Sequence, residues 1–222
     1  MADLFTPTLG QILVLGVGTL GGRVAASGAA DGLGAGWAAA HSDPTELIAT
    51  GLERKLHLEI AEGPFAAQSA WHSVARQAEA LDALAAGHVG AILPVALGET
   101  RASQLLPPLC RALRQRNLFV GVLACDPLAA GAEPDVRAVE QEADLLVRLP
   151  PNMLSAGLTA QSPVSALHAA AEKKLLAAVE TLVCVLARAE GGFTLRALQQ
   201  ALRGGGSLGF GLGMAQGAAA CR

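Results

Sequence analysis

The apolar run Ile12-Leu13-Val14-Leu15 leads directly into Gly16-Val17-Gly18-Thr19-Leu20-Gly21-Gly22, and a helix-compatible stretch begins at Arg23. A buried strand, a tight turn and a helix start leave the chain few ways to fold here. Glycine turns sharply and lets the backbone approach another group with no Cβ between them. The first amides of the helix lack an intrahelical acceptor and so face outward as anion donors. Gly16, Gly18, Thr19, Gly21 and Gly22 are therefore candidate phosphate contacts. The same spacing serves NAD enzymes, adenylating enzymes and GTP-binding proteins. A tight strand-to-helix corner that binds nothing would use it as well.

Further along, apolar runs bounded by turn residues alternate with helical patterns, the signature of βαβ units. The runs are Gly36 to Ala40, Ala91 to Val95, Leu118 to Leu123 and Leu145 to Leu149, with helical periodicity over Ala67 to Ala86, Ser103 to Gln115 and Ala132 to Asp144. Right-handed crossovers place helices on both faces of a Rossmann-like, mainly parallel sheet. The second half begins with one long helix, Pro163 to Glu190, opened by Ser162-Pro163 and closed by Gly191-Gly192. Leu167, Ala171, Leu175, Val179, Leu182, Val183 and Leu186 give it a wide apolar face, which predicts a buried central helix. A further helix over Leu195 to Leu202 precedes the glycine-rich stretch Gly204 to Gly217. This organisation predicts an N-terminal extension (1–10), one α/β domain with the central helix at 163–190 (11–190), and a terminal helix with a Gly-rich tail (191–222).

Composition excludes several functions. With 52% hydrophobic and 16% charged residues the chain builds a core instead of remaining disordered. A net charge of −3 gives no general pull toward nucleic acid, so any phosphate recognition is local. No segment reaches the roughly 18 uninterrupted apolar residues of a membrane span, and residues 1–10 lack a secretory pattern, which together predict a cytoplasmic protein. Cys110, Cys125, Cys184 and Cys221 are too widely spaced for a zinc or dithiol motif, and the first three read as buried free thiols. His41, His57, His72, His88 and His168 show neither metal-ligand spacing nor a nucleophile partner. Arg111, Arg114 and Arg116 near the end of a helix suit its macrodipole better than a partner-binding patch, while Trp37 and Trp71 read as core residues, with an interface anchor as the alternative for Trp71.

Four segments, in order, carry a resemblance. Ile12 to Arg23 looks like a first strand and first glycine loop; Trp37 to Leu47 like a second strand ending in an Asn-Thr-Asp turn and a short helix. Ala143 to Leu154 resembles a strand ending in Ile-Pro-Asn-Asp, and Leu202 to Gly213 parallels Met-Ser-Asn-Ala-Gly-Leu-Ala-Leu-Met-Gly-x-Gly. Together they resemble the GTP-binding domain of the FtsZ/tubulin superfamily, specifically bacterial and archaeal FtsZ, from Gln11 almost to the end. The resemblance implies GTP or GDP as ligand, with Gly16, Gly18, Thr19, Gly21, Gly22, Asp43, Gly98 and Thr100 as contacts. It also implies a partner that is another copy of the chain or an FtsZ-type filament subunit. The residues themselves leave other roles open. Asp43 before Pro44 suits an N-cap better than a nucleotide contact, and Thr100 suits a solvated loop.

Departures from the family pattern point away from hydrolysis. Where the family carries Gly-Gly-Gly-Thr-Gly-Thr-Gly, this chain has Val95 to Ser103, keeping only Gly98 and Thr100 and adding Glu99. A carboxylate facing a triphosphate is repelled unless a cation such as Arg101 offsets it, so any nucleotide would be held weakly. The third glycine loop is replaced by Glu62 to Gln68, and an expected asparagine is Arg23. The catalytic Asn-x-Asp-x-x-Asp is replaced by Gly192-Phe193-Thr194-Leu195-Arg196-Ala197, which has no carboxylate to polarise water. The family's second domain would follow where the sequence stops. The expectation is a non-catalytic FtsZ-like protein, acting by protein contacts in division, cytoskeleton or membrane remodelling. The alternatives are a GTP binder without hydrolysis and a Rossmann-type NAD or adenylate-binding enzyme.

Overall fold

Strict alternation along the first strand divides the core in two, because successive side chains point to opposite faces of a sheet. In the computed structural model, which describes residues 9–126, 133–155 and 161–187, β1 (Ile12–Val17) sends Leu13, Leu15 and Val17 to one face and Ile12 and Val14 to the other. Five more strands join it: β2 (Gly36–His41), β3 (Lys55–His57), β4 (Gly90–Ala96), β5 (Phe119–Cys125) and β6 (Leu145–Leu149). All pairings are parallel, in the order β3-β2-β1-β4-β5-β6. The α/β class, the parallel sheet and the long helix read from the sequence are all present.

Eight α-helices are formed by the described residues: α1 (Gly18–Ala30), α2 (Pro44–Ala49), α3 (Ala66–Arg76), α4 (Ala78–Ala85), α5 (Thr100–Gln115), α6 (Glu133–Glu142), α7 (Pro151–Leu154) and α8 (Val164–Ala187). Val74, Leu81, Leu105, Leu109 and Val139 bring α3 to α6 onto the face of Leu13 and Leu15. On the opposite face, Leu20 and Val24 of α1 join Leu175, Val179, Leu182 and Leu186 of α8 over Ile12, Ile92 and Leu123. The other side of α8 is less covered, with Val164 and Val185 exposed.

Three details differ from the sequence reading. Helix α1 starts at Gly18 instead of Arg23, since Leu20, Gly21 and Gly22 are buried against the sheet and become its first turns. The helix expected over 67–86 breaks at Gln77 into α3 and α4. The three-residue β3 escaped because so short a run carries no periodicity. Residues 1–8 of the extension expected over 1–10 and everything from 188 onward, including the catalytic-loop counterpart and the 195–202 helix, lie outside the described residues, while Leu9 and Gly10 belong to a short 3-10 helix, Leu9–Gln11.

Close backbone contact explains two of the glycines. A Cβ on Gly16 would lie 2.1 Å from the Gly21 carbonyl oxygen, and one on Gly21 would lie 2.2 Å from the Pro94 carbonyl oxygen. The start of α1 therefore rests directly on the backbones of β1 and β4. On its outer stretch the ring of Trp37 fills the space where a Cβ of Gly28 would be, 2.2 Å away, and its indole N–H donates to the Leu33 carbonyl at 3.0 Å.

The arginine cluster ties helices together. Arg111 donates to both carboxylate oxygens of Glu142 and lies 4.5 Å over the Trp71 ring. Arg116 donates to Asp82 at 2.7 Å and to the Ala78 carbonyl at 2.9 Å. Arg114 donates to the Glu142 carbonyl and pairs at 3.4 Å with Asp144, a wholly buried carboxylate that also accepts the Val120 amide at 3.0 Å. These three residues thus fix α4 and α6 around α5.

Two outcomes follow. Gly21→Ala should lower unfolding stability by at least about 2 kcal/mol, as overpacking against immovable backbone does. Gly10→Ala, where the nearest atom to an added Cβ is 3.6 Å away, should be close to neutral in the same urea titration. Burial, and then the nearby Arg54 charge, lower the His88 pKa below its ordinary 6.5. The unfolded state therefore takes up the proton first as pH falls, and stability declines below about pH 6.5. His88→Gln should flatten that part of a stability-against-pH curve.

Candidate functional site

The strand order reverses at β1, between β2 on one side and β4 on the other, and ligands of open parallel sheets bind beyond the strand ends at such a point. Here α1 begins, with its N-terminal amides directed across the gap to the β4–α5 turn. Its N-cap residue, Val17, has no side-chain group to satisfy them. Glu99 does so from 80 positions away. The Thr19 amide donates to Glu99 Oε2 at 2.9 Å and the Leu20 amide to Oε1 at 3.2 Å. The two oxygens of one carboxylate thus take two successive donors of the cradle, where an external oxyanion would otherwise sit.

Gly18 makes room for that arrangement. It has φ +75°, and a Cβ there would lie 2.4 Å from Glu99 Oε2 and 2.5 Å from the Ala102 Cβ. Glu99 is the N-cap residue of α5, yet its carboxylate makes no cap bond to α5. Arg101 does not neutralise it; its guanidinium pairs with Glu62 Oε1 at 2.5 Å. The backbone amides of α1 are what hold Glu99.

A second chain of bonds runs from Thr19 to α2. The Asp43 amide donates to His41 Nδ1 at 2.8 Å, so this ring nitrogen is the acceptor and a neutral ring carries its proton on Nε2. Nε2 lies 3.2 Å from Thr19 Oγ1 and donates to it. Asp43 Oδ1 accepts the Thr45 amide at 2.8 Å, capping α2, and that bond lowers its pKa. Beside this chain opens a cleft of about 400 Å³, floored by Gly22, Ala26 and Ala39 and walled by Arg23, Glu46 and Glu172. Arg23 and Glu172 pair across it at 2.6 Å, and Ser27 donates to the other oxygen of Glu172 at 3.3 Å.

The residues singled out from sequence fall into three groups. Gly18, Thr19 and Gly22 border the cleft, whereas Gly16 and Gly21 are engaged in backbone packing. Asp43 lies at the α2 N-terminus, Gly98 at an exposed turn with φ +95°, and Thr100 is the first residue of α5. His41, Arg23 and Glu172 complete the surroundings. No sequence pattern flagged the pairing of Arg23 with Glu172, which lie on helices far apart in the chain. Among the described residues no group of His, Cys, Asp and Glu could hold a metal ion.

Comparison of the whole backbone with solved structures decides the architecture. An FtsZ dimer from M. jannaschii, described as empty, superposes with TM-score 0.71 at 19% identity, covering 81% of this chain and 56% of that one. The fold is that of the FtsZ/tubulin GTPase domain. CetZ from Methanosaeta thermophila matches with TM-score 0.68 at 14% identity over 87% of this chain and 60% of its own. TubZ of Clostridium botulinum phage c-st matches with TM-score 0.60 at 12% identity, covering 86% and 65%. The chain thus spans just over half to about two thirds of the length of these FtsZ-fold structures. No family model and no curated protein matches its sequence.

Two cysteines, Cys125 at the end of β5 near Glu99 and Cys110 within α5, are buried. Burial, followed by the charges of Glu99 and Asp126, pushes the Cys125 thiol up to about 12, and burial raises Cys110 as well. Thiolate is the reacting species. Neither residue should be modified by Ellman's reagent at pH 8 in the native protein, and both should react in denaturant. Peptide mapping after alkylation reads this directly.

Proposed function

We propose that this protein is a non-catalytic, FtsZ-fold subunit that works through protein contacts in a cytoskeletal, division or membrane-remodelling setting of the cytoplasm. The observation that carries this reading is the seating of Glu99 on the Thr19 and Leu20 amides. A triphosphate binding there must displace an anion already hydrogen-bonded in place, and otherwise meets its charge at short range. Glu46 and Glu172 add further negative charge around the cleft, offset there by Arg23. The sequence Gly192 to Ala197 lacks the carboxylates that in-line attack by water would require.

Its partner is another copy of the chain or an FtsZ-type filament subunit. Support comes from the FtsZ dimer among the structures that share its fold. Among the described residues no helix is long and apolar enough to cross a membrane. The open cleft favours a second reading, in which GTP or GDP binds weakly as a structural ligand without turnover. The dinucleotide-enzyme reading has less support: it calls for an acidic residue after the second strand to meet a ribose, and Asp43, which stands there, is spent on capping α2.

Purified protein should release no phosphate from GTP above the buffer background, and its light scattering and sedimentation should be the same with and without GTP. Steady GTP turnover would overturn the non-catalytic reading. Thermal stabilisation by GTP and GDP without turnover would select the structural-ligand reading.

A further inference from the structure

Glu99 differs from an ordinary helix cap. Capping side chains come from the residue just before the helix, so removing them disturbs its entry geometry. This carboxylate arrives instead from the β4–α5 turn, across a gap that Gly18 leaves open, and it meets two successive amides with two oxygens. Gly98, immediately before it, is exposed and has φ +95°, the conformation of a sharp turn. The neighbouring guanidinium of Arg101 is committed to Glu62 instead of to Glu99. Gly18 and Thr19, which border the seat, also line the cleft. A tetrahedral oxyanion fits the same donors by the same chemistry.

We propose that Glu99 is a tethered ligand: the N-terminus of α1 is an oxyanion site that the chain fills with its own carboxylate, and phosphate enters only when that carboxylate is withdrawn. The inference rests on the reading of the cradle as closed and adds how it is kept closed. Glu99 and an external phosphate are mutually exclusive occupants. Leu97 is anchored in the core and by its amide bond to the Cys125 carbonyl, so any contact that draws Gly98 and Glu99 away from α1 uncovers the site, which makes the tip of the β4–α5 turn an autoinhibitory arm.

Chemical rescue tests this. Thermal melts of the full chain compare wild type, Glu99→Ala and, as a surface control, Glu53→Ala, over 0 to about 20 mM sodium phosphate with ionic strength held constant by NaCl. Losing two charge-assisted bonds should lower the Tm of Glu99→Ala by about 4 °C. Phosphate should restore at least half of that loss in a saturable manner, while wild type and Glu53→Ala move by less than about 1 °C. If Glu99→Ala does not fold, Glu99→Gln, which keeps the shape and removes the charge, carries the same measurement. A variant Tm that ignores phosphate, or a wild-type Tm that rises in parallel, overturns the proposal. GTP is the comparison arm: stabilisation of the variant by both GTP and phosphate supports an oxyanion site, and stabilisation by GTP alone overturns it. GTP turnover by wild type would sink the functional reading whatever the melts show. A silent phosphate arm without turnover would sink only the tethered-ligand inference.

Discussion

The approach of α1 to the bare backbone of β1 and β4 sets the rest of the structure. Gly16 and Gly21 let two carbonyls sit where side chains would otherwise stand, and this brings the first turn of α1 to the sheet's switch point. Because the helix starts there, its unpaired amides open onto the β4–α5 turn. Because it lies so low, α8 can cover both α1 and the neighbouring strands through Leu175, Val179 and Leu182. Glycine spacing that looks like a ligand signature is thus first a packing requirement. The two roles are separable by residue: Gly16 and Gly21 serve the fold, while Gly18 clears space for an anion.

Charge placement around that point is economical. Glu99 satisfies donors that no adjacent residue can cap, and Arg101 is directed away to Glu62. Arg23 and Glu172 join the two helices that border the cleft, partly exposed to solvent, so their pairing contributes orientation more than stability. Asp144 is different. Its carboxylate is wholly buried and meets both Arg114 and the Val120 amide, so it holds the start of β5 to α5 at a place where an uncompensated charge would be costly.

The architecture was legible because it rests on periodicity and punctuation. Strands β1, β2, β4, β5 and β6 are apolar runs between turn residues, and α8 is a long apolar pattern between Ser162-Pro163 and Gly191-Gly192. Local chemistry blurred the boundaries: buried glycines extend α1 upstream to Gly18, and Gln77 interrupts an otherwise continuous pattern. The site was legible only in part. Sequence identified Glu99 as a carboxylate opposite the glycine turn and read it as a source of repulsion. That it makes hydrogen bonds to Thr19 and Leu20 depends on a contact between residues 80 apart, which no local pattern encodes. The same is true of the arginines, whose placement suggested a dipole effect and whose partners are residues of α4 and α6 and Asp144.

Strand order has a consequence for how the chain comes together during synthesis. β1 is translated early, yet one of its two neighbours is β4, so that Leu13 meets Ala91 across more than seventy intervening residues. Until β4 emerges, the half-sheet β3-β2-β1 exposes an open hydrogen-bonding edge, and the carbonyl surface under Gly21 is missing. The long-range closure makes assembly of the central pair a late event, dominated by chain entropy. During that interval β1 keeps an unpaired hydrogen-bonding edge, the kind of edge that another chain can pair with, and residues 90–96 are what cover it in the folded domain.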